Sequence, residues 1–146
     1  MRLLGQKILL LAAFSTIACR DTIAPGELRQ FMLHDINGRS LPTYLSPTPG
    51  ETPTIASGSL VLNGAGQATI FEHRIEWDGS QHDYTFNFIY KITGSTIVFE
   101  WPTPCPPNAL CAAPPKGSVT PFGITLDWVP SNPGLMVYNY TAVLVD

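Results

Sequence analysis

The fold is decided by residues 58–101, which read GSLVLNGAGQATIFEHRIEWDGSQHDYTFNFIYKITGSTIVFEW. Apolar and polar side chains alternate along this stretch, and a period of two residues is typical of half-buried β-strands. Turn sequences that contain glycine interrupt the alternation at residues 63–66, 78–81 and 93–96. The stretch therefore predicts four antiparallel strands in one meander.

The turn lengths predict how these strands pair, because a tight hairpin loop fixes which residues stand opposite each other. Two-residue loops predict four diagnostic pairs: Leu62 with Gln67, Ile75 with Tyr84, His73 with Phe86, and Tyr90 with Phe99. In this register the strand at residues 71–77 turns its apolar side chains inward. Its charged side chains, Glu72, Arg74 and Glu76, point outward.

Strands of less regular pattern flank the meander. The sequence predicts strands at residues 28–36, 41–45, 118–128 (broken near Pro121 and Gly123) and 135–145, with a loop at 46–57 and a turn at 130–134. No segment after residue 19 has a helical period, and 14 prolines and 12 glycines limit long helices. We therefore expect an all-β domain of about eight strands.

The order of these segments resembles the small lipocalin-like barrels of bacterial lipoproteins. The resemblance rests on INGRSLP (36–42), GSLVLNGAG (58–66), YKITGSTIVF (90–99), GITLDW (123–128) and VYNY (137–140). It implies a single antiparallel meander that closes into a small barrel, with the last strand paired to the first. Most such families have no assigned chemistry.

The first 18 residues are typical of a secretory signal peptide, with Arg2 and Lys7 before an uncharged apolar run at 8–17. TIAC at 16–19 resembles a lipobox, which implies cleavage before Cys19 and acyl chains on that cysteine. Ordinary cleavage at the same bond is the alternative. We expect a signal peptide at 1–18, lipidated Cys19 with a tether at 19–26, and a barrel domain at 27–146. In the usual sorting rule of lipoproteins, Asp directly after the acylated cysteine signals retention in the inner membrane. This chain has Arg20 there, so the resemblance implies that the protein is sorted to the outer membrane and faces the periplasm.

Cys105 and Cys111 are predicted to form a disulfide, because an exported chain meets an oxidising compartment. A metal site is the alternative, but no histidine follows residue 83 to complete it. Six prolines between Trp101 and Lys116 indicate a long loop closed by this bridge. The loop is either a partner-binding tip or a rigid connection.

The predicted inner face is rich in large side chains, which either pack as a core or line a pocket for one small ligand. The candidate ligand-lining residues are Phe71, His73, Tyr84, Phe86, Phe88, Tyr90, Phe99 and Trp101. No catalytic residues, cofactor or metal are expected, and a net charge of −3 disfavours nucleic acid as a partner. The expected function is that of a non-catalytic, lipid-anchored envelope protein acting through protein contacts or as a structural accessory. The alternative is a binder of a small apolar ligand inside the barrel.

Overall fold

A computed structural model describes residues 27–45, 53–107, 109, 111–128 and 135–143, and the regular secondary structure of these residues is all β. They form ten antiparallel strands: β1 (Leu28–Ile36), β2 (Arg39–Ser40), β3 (Thr43–Tyr44), β4 (Thr54–Asn63), β5 (Gln67–Ile75), β6 (Gln81–Thr93), β7 (Thr96–Glu100), β8 (Lys116–Thr120), β9 (Gly123–Trp128) and β10 (Met136–Ala142). No helix in the described ranges is long and apolar enough to cross a bilayer.

The sheet closes into a barrel of eight strands. The eight longer strands pair in chain order, and β1 closes the circle because it bonds to both β4 and β10. The short strands β2 and β3 extend the edges of β1 and β4. Each of the eight longer strands pairs on both sides over at least part of its length, which confirms the predicted all-β meander barrel with its last strand on its first.

Side chains fill the barrel. Phe88, which is 1% exposed, lies at the centre of an aromatic cluster with Phe99, Trp101 and Trp128, with ring centroids 4.6–6.1 Å from its own. The apolar residues that are fully or almost fully buried include Ile55, Leu60, Leu62, Ile70, Ile97, Phe99, Ile124, Leu126 and Tyr138. The core is therefore packed with side chains from every part of the sheet.

Strand β5 faces the opposite way to the sequence-based prediction. Ile70 stands opposite Phe86, and the predicted partner of Phe86, His73, stands opposite Asp83. The cause is the loop, which spans residues 76–80 and closes with a hydrogen bond from the Glu76 N–H to the Ser80 carbonyl at 2.8 Å. The longer loop moves the register by an odd number of residues, which exchanges the two faces of the strand.

The first turn produces the same reversal. Leu62 pairs with Ala68 and not with Gln67, because the Asn63 side chain accepts hydrogen bonds from the N–H groups of Ala65 and Gln67 at 3.0 and 2.9 Å and so holds a wider turn. The third turn was predicted correctly, since Tyr90 pairs with Phe99.

Three boundaries also differ from the predictions. Residues 54–57 belong to β4 and not to a loop. The break expected near Pro121 is a hairpin that separates β8 from β9. The last strand ends at Ala142. The predicted turn at 130–134 and the loop at 46–52 lie outside the described residues, as do residues 1–26.

Two adjacent substitutions test the orientation of β5. Ile70→Ala should lower the free energy of unfolding by about 2–5 kcal/mol, because Ile70 is fully buried. Phe71→Ala should cost no more than about 1 kcal/mol, because Phe71 is 43% exposed. Urea unfolding of protein made without residues 1–19 measures both values. A larger loss for Phe71→Ala than for Ile70→Ala would support the register expected from the sequence instead.

Candidate functional site

Residues 101–115 join β7 to β8 and carry the disulfide between Cys105 and Cys111; we call them the stapled segment. The bridge confirms the predicted pairing. The Trp101 indole N–H donates to the carbonyl of Ala112 at 2.8 Å, which fastens the start of the segment to its return path. The disulfide and the indole hydrogen bond restrain the described part of the segment, and its prolines restrict the backbone further.

The stapled segment forms the walls of an open cleft of about 470 Å³. Its walls are mainly apolar, and they are formed by Trp101, Pro102, Thr103, Pro104, Cys105, Pro106, Cys111 and Ala112. Proline rings and a disulfide lose little conformational freedom when a partner binds, so the entropic cost of ordering this surface is small. Chemically, the cleft suits an apolar side chain.

The structure brings together six of the eight candidate ligand-lining residues. Those on the inner face are Tyr84, Phe86, Phe88, Tyr90, Phe99 and Trp101. Phe71 and His73 lie on the outer face of β5, which corrects their predicted position. The inner aromatic side chains contact one another and the rest of the core, as with the edge-on pair Phe86 and Trp128 at 4.9 Å.

Glu72 and Arg74, which the sequence places on the solvent side, lie inside the barrel. The Glu72 side chain is fully buried, and its Oε2 accepts a hydrogen bond from Arg74 Nε at 2.8 Å. The Arg74 guanidinium also stacks over the Tyr84 ring, 4.4 Å from its centroid. Burial raises the pKa of the Glu72 carboxyl, and the positive charge of Arg74 opposes that rise.

Two buried tyrosines lie near this ion pair. Burial, together with the negative charge of Glu72, raises the pKa values of Tyr138 and Tyr140. Within the described residues, the buried Trp128 Nε1 and Tyr140 OH make no hydrogen bond. The Tyr138 hydroxyl lies close enough to the Glu72 carboxyl to lower the pKa of that carboxyl. A carboxylate beside phenols is capable of proton transfer, but these groups are sealed from solvent and no substrate reaches them in this conformation.

A second cleft, of about 430 Å³, lies on the outer face over β4, β5 and β6. His73 Nδ1 is 2.7 Å from Asp83 Oδ1, and Ser57 stands opposite His73 in the ladder. The Asp83 side chain is 85% exposed, so water screens its charge. In the part of the chain that is described, no hydrogen bond joins the Ser57 hydroxyl to His73. The arrangement therefore lacks the linked, partly buried relay of a serine hydrolase.

Across the described ranges, no group of three or more His, Cys, Asp or Glu residues is arranged to hold a metal ion. Cys19, the predicted lipidation site, lies outside the described residues. No protein-family model, curated protein or solved structure matches this chain.

The buried ion pair has a testable energetic consequence. Arg74→Met should lower the free energy of unfolding by roughly 3–5 kcal/mol, because it leaves the Glu72 carboxylate buried without its partner. The double variant Glu72→Met/Arg74→Met should recover most of that loss, since two apolar side chains need no desolvation of charge. Denaturant unfolding of the two variants and the wild type measures these free energies. Equal losses of unfolding free energy in the single and the double variant would contradict a paired, buried Glu72.

The raised pKa of Glu72 also predicts how stability changes with pH. Its folded-state pKa lies above the ordinary glutamate value of 4.5, so protonation of Glu72 favours the folded state. The unfolding free energy of the wild type relative to Glu72→Gln should therefore rise as the pH falls from neutral towards 4.5. Exposed Glu100→Gln is the matched control. If the unfolding free energy of the wild type relative to Glu72→Gln instead falls as the pH is lowered, the raised pKa of Glu72 is refuted.

Proposed function

We propose that this protein is a non-catalytic, lipid-anchored protein of the bacterial cell envelope that acts through contacts with other proteins. One observation carries the proposal: side chains fill the barrel, while a rigid apolar cleft opens on the stapled segment. A filled barrel leaves no ready space for a ligand. Apolar surface displayed on the outside marks sites of association.

The sequence before the barrel supports the anchoring part of the proposal. TIAC at 16–19 follows a short apolar run, as in lipoproteins that are acylated on the cysteine. An exported location also agrees with the disulfide in the stapled segment, because such bridges persist in oxidising compartments. The eight-stranded barrel supports the resemblance to lipocalin-like lipoproteins.

A small apolar ligand inside the barrel is the competing function. For such a ligand to bind, Phe88 and its aromatic neighbours would have to separate, at the cost of the contacts that fill the core. An apolar fluorescent probe should therefore show no saturable binding to the folded protein. Saturable binding that quenches tryptophan emission would favour the ligand-binding function over protein contact.

Site-specific photo-crosslinking tests the contact function in cells. A photoreactive amino acid at Thr103, in the cleft, should give a discrete adduct with an envelope protein; the same amino acid at Ser40, which is also exposed, should not. Cys105→Ala/Cys111→Ala should weaken the Thr103 adduct, because it removes the bridge that shapes the cleft.

Cys19→Ser should move the protein into the soluble fraction.

The cleft contact and the lipid anchor can each be contradicted separately. Equal adducts at Thr103 and Ser40, or none at either, would remove the cleft as a contact site. Retention of Cys19→Ser in the membrane, with no loss of radiolabelled acyl chains, would refute the anchor.

A further inference from the structure

One end of the barrel is built from the chain's entry and three short turns. We call it the entry end; it consists of residues 27–28, 63–66, 94–95, 121–122 and 142–143. Backbone hydrogen bonds join its parts, from Gly64 N–H to the Glu27 carbonyl at 3.0 Å and from Ala142 N–H to the Phe122 carbonyl at 2.9 Å. The stapled segment starts partway along the barrel wall, because β7 runs from the 94–95 turn towards it, and its Pro102 lines one groove of about 420 Å³ with Leu28 and Asn63.

The surface of the entry end is apolar and almost free of charge. Phe122 is 81% exposed, Leu28 70% and Val143 40%. None of the three turns contains a charged residue, and Glu27 is paired with Arg29 at 2.9 Å. The other acidic side chains of the described ranges lie at the opposite end, on the outer wall or in the interior: Asp35, Glu72, Glu76, Asp78, Asp83, Glu100 and Asp127.

The proposed anchor holds this end near the membrane. Residues 20–26 separate Cys19 from Glu27, and seven residues reach about 25 Å when fully extended. Strand β1 alone, with nine residues, is about 30 Å long. Even a fully extended tether lying along the barrel would fall short of the opposite end, whereas the entry end, which contains Glu27, is within its reach.

We propose that the entry end rests on the phospholipid surface that holds Cys19, with Phe122 and Leu28 among the headgroups. The inference depends on the lipid anchor proposed above. An aromatic side chain is at home at a membrane–water boundary, and the three turns bring no charged side chain to it.

Spin-label accessibility on the lipidated protein tests the orientation. Ser95→Cys places a nitroxide on a turn of the entry end and leaves Phe122 in place; Trp77→Cys places one at the opposite end, where Trp77 is 79% exposed. The proteins are reconstituted in vesicles of phosphatidylethanolamine with a minor share of phosphatidylglycerol. The label at position 95 should collide with an aqueous nickel chelate several-fold less often than the label at 77. Phe122→Ser should return position 95 towards the value at 77.

The outcomes separate the two proposals. A mass spectrum without acyl chains on Cys19 refutes the anchor, and the inference falls with it. Acylated protein with equal nickel collision rates at 95 and 77 refutes the membrane contact alone. Spin–spin broadening at 95 that grows with protein density would assign the entry end to a second copy of the chain and would overturn the inference.

Discussion

The face that β5 turns to the core is the constraint on which the rest of the structure depends. Two turns set it: the Asn63 side chain holds the turn before β5, and Asp78 holds the loop after it by accepting hydrogen bonds from the Ser80 N–H and hydroxyl at 2.9 and 2.6 Å. Both lengthen the connection, and together they bring Ile70 inward. A register that differed by one residue would bury Phe71 in its place and would move every neighbour on the strand to the other face.

This orientation brings a charged pair into the core at the same time. Glu72 and Arg74 follow Ile70 on the inner face, where the pair lies against Tyr84 and close to Tyr138. A buried ion pair adds little net stability compared with apolar side chains. It does make alternative registers costly, because either charge without its partner would be buried alone. Specificity of packing is thus the most direct physical role for the pair.

The sequence was sufficient to predict the barrel but not the orientation of β5. Alternation identified the strands, and Gly94-Ser95 correctly paired β6 with β7 because that loop is tight. Residues 67–75 alternate with bulky side chains on both faces, so the pattern fits either face equally well. The decision rests on side-chain hydrogen bonds within the turns, which alternation does not report. The disulfide was predictable because Cys105 and Cys111 are the only cysteines after Cys19; the shape of the cleft that it closes was not.

A packed interior and a restrained exterior loop together explain why the proposed function lies on the outside of the barrel, and the packed interior depends on the pairing of β5 with β6. Nuclear Overhauser effects between backbone protons of the two strands measure that pairing directly. The structure predicts contacts between Phe71 and Thr85 and between Glu72 and Tyr84. Contacts between His73 and Phe86 would contradict it, because they would place Phe71 in the core and the Glu72–Arg74 pair in solvent.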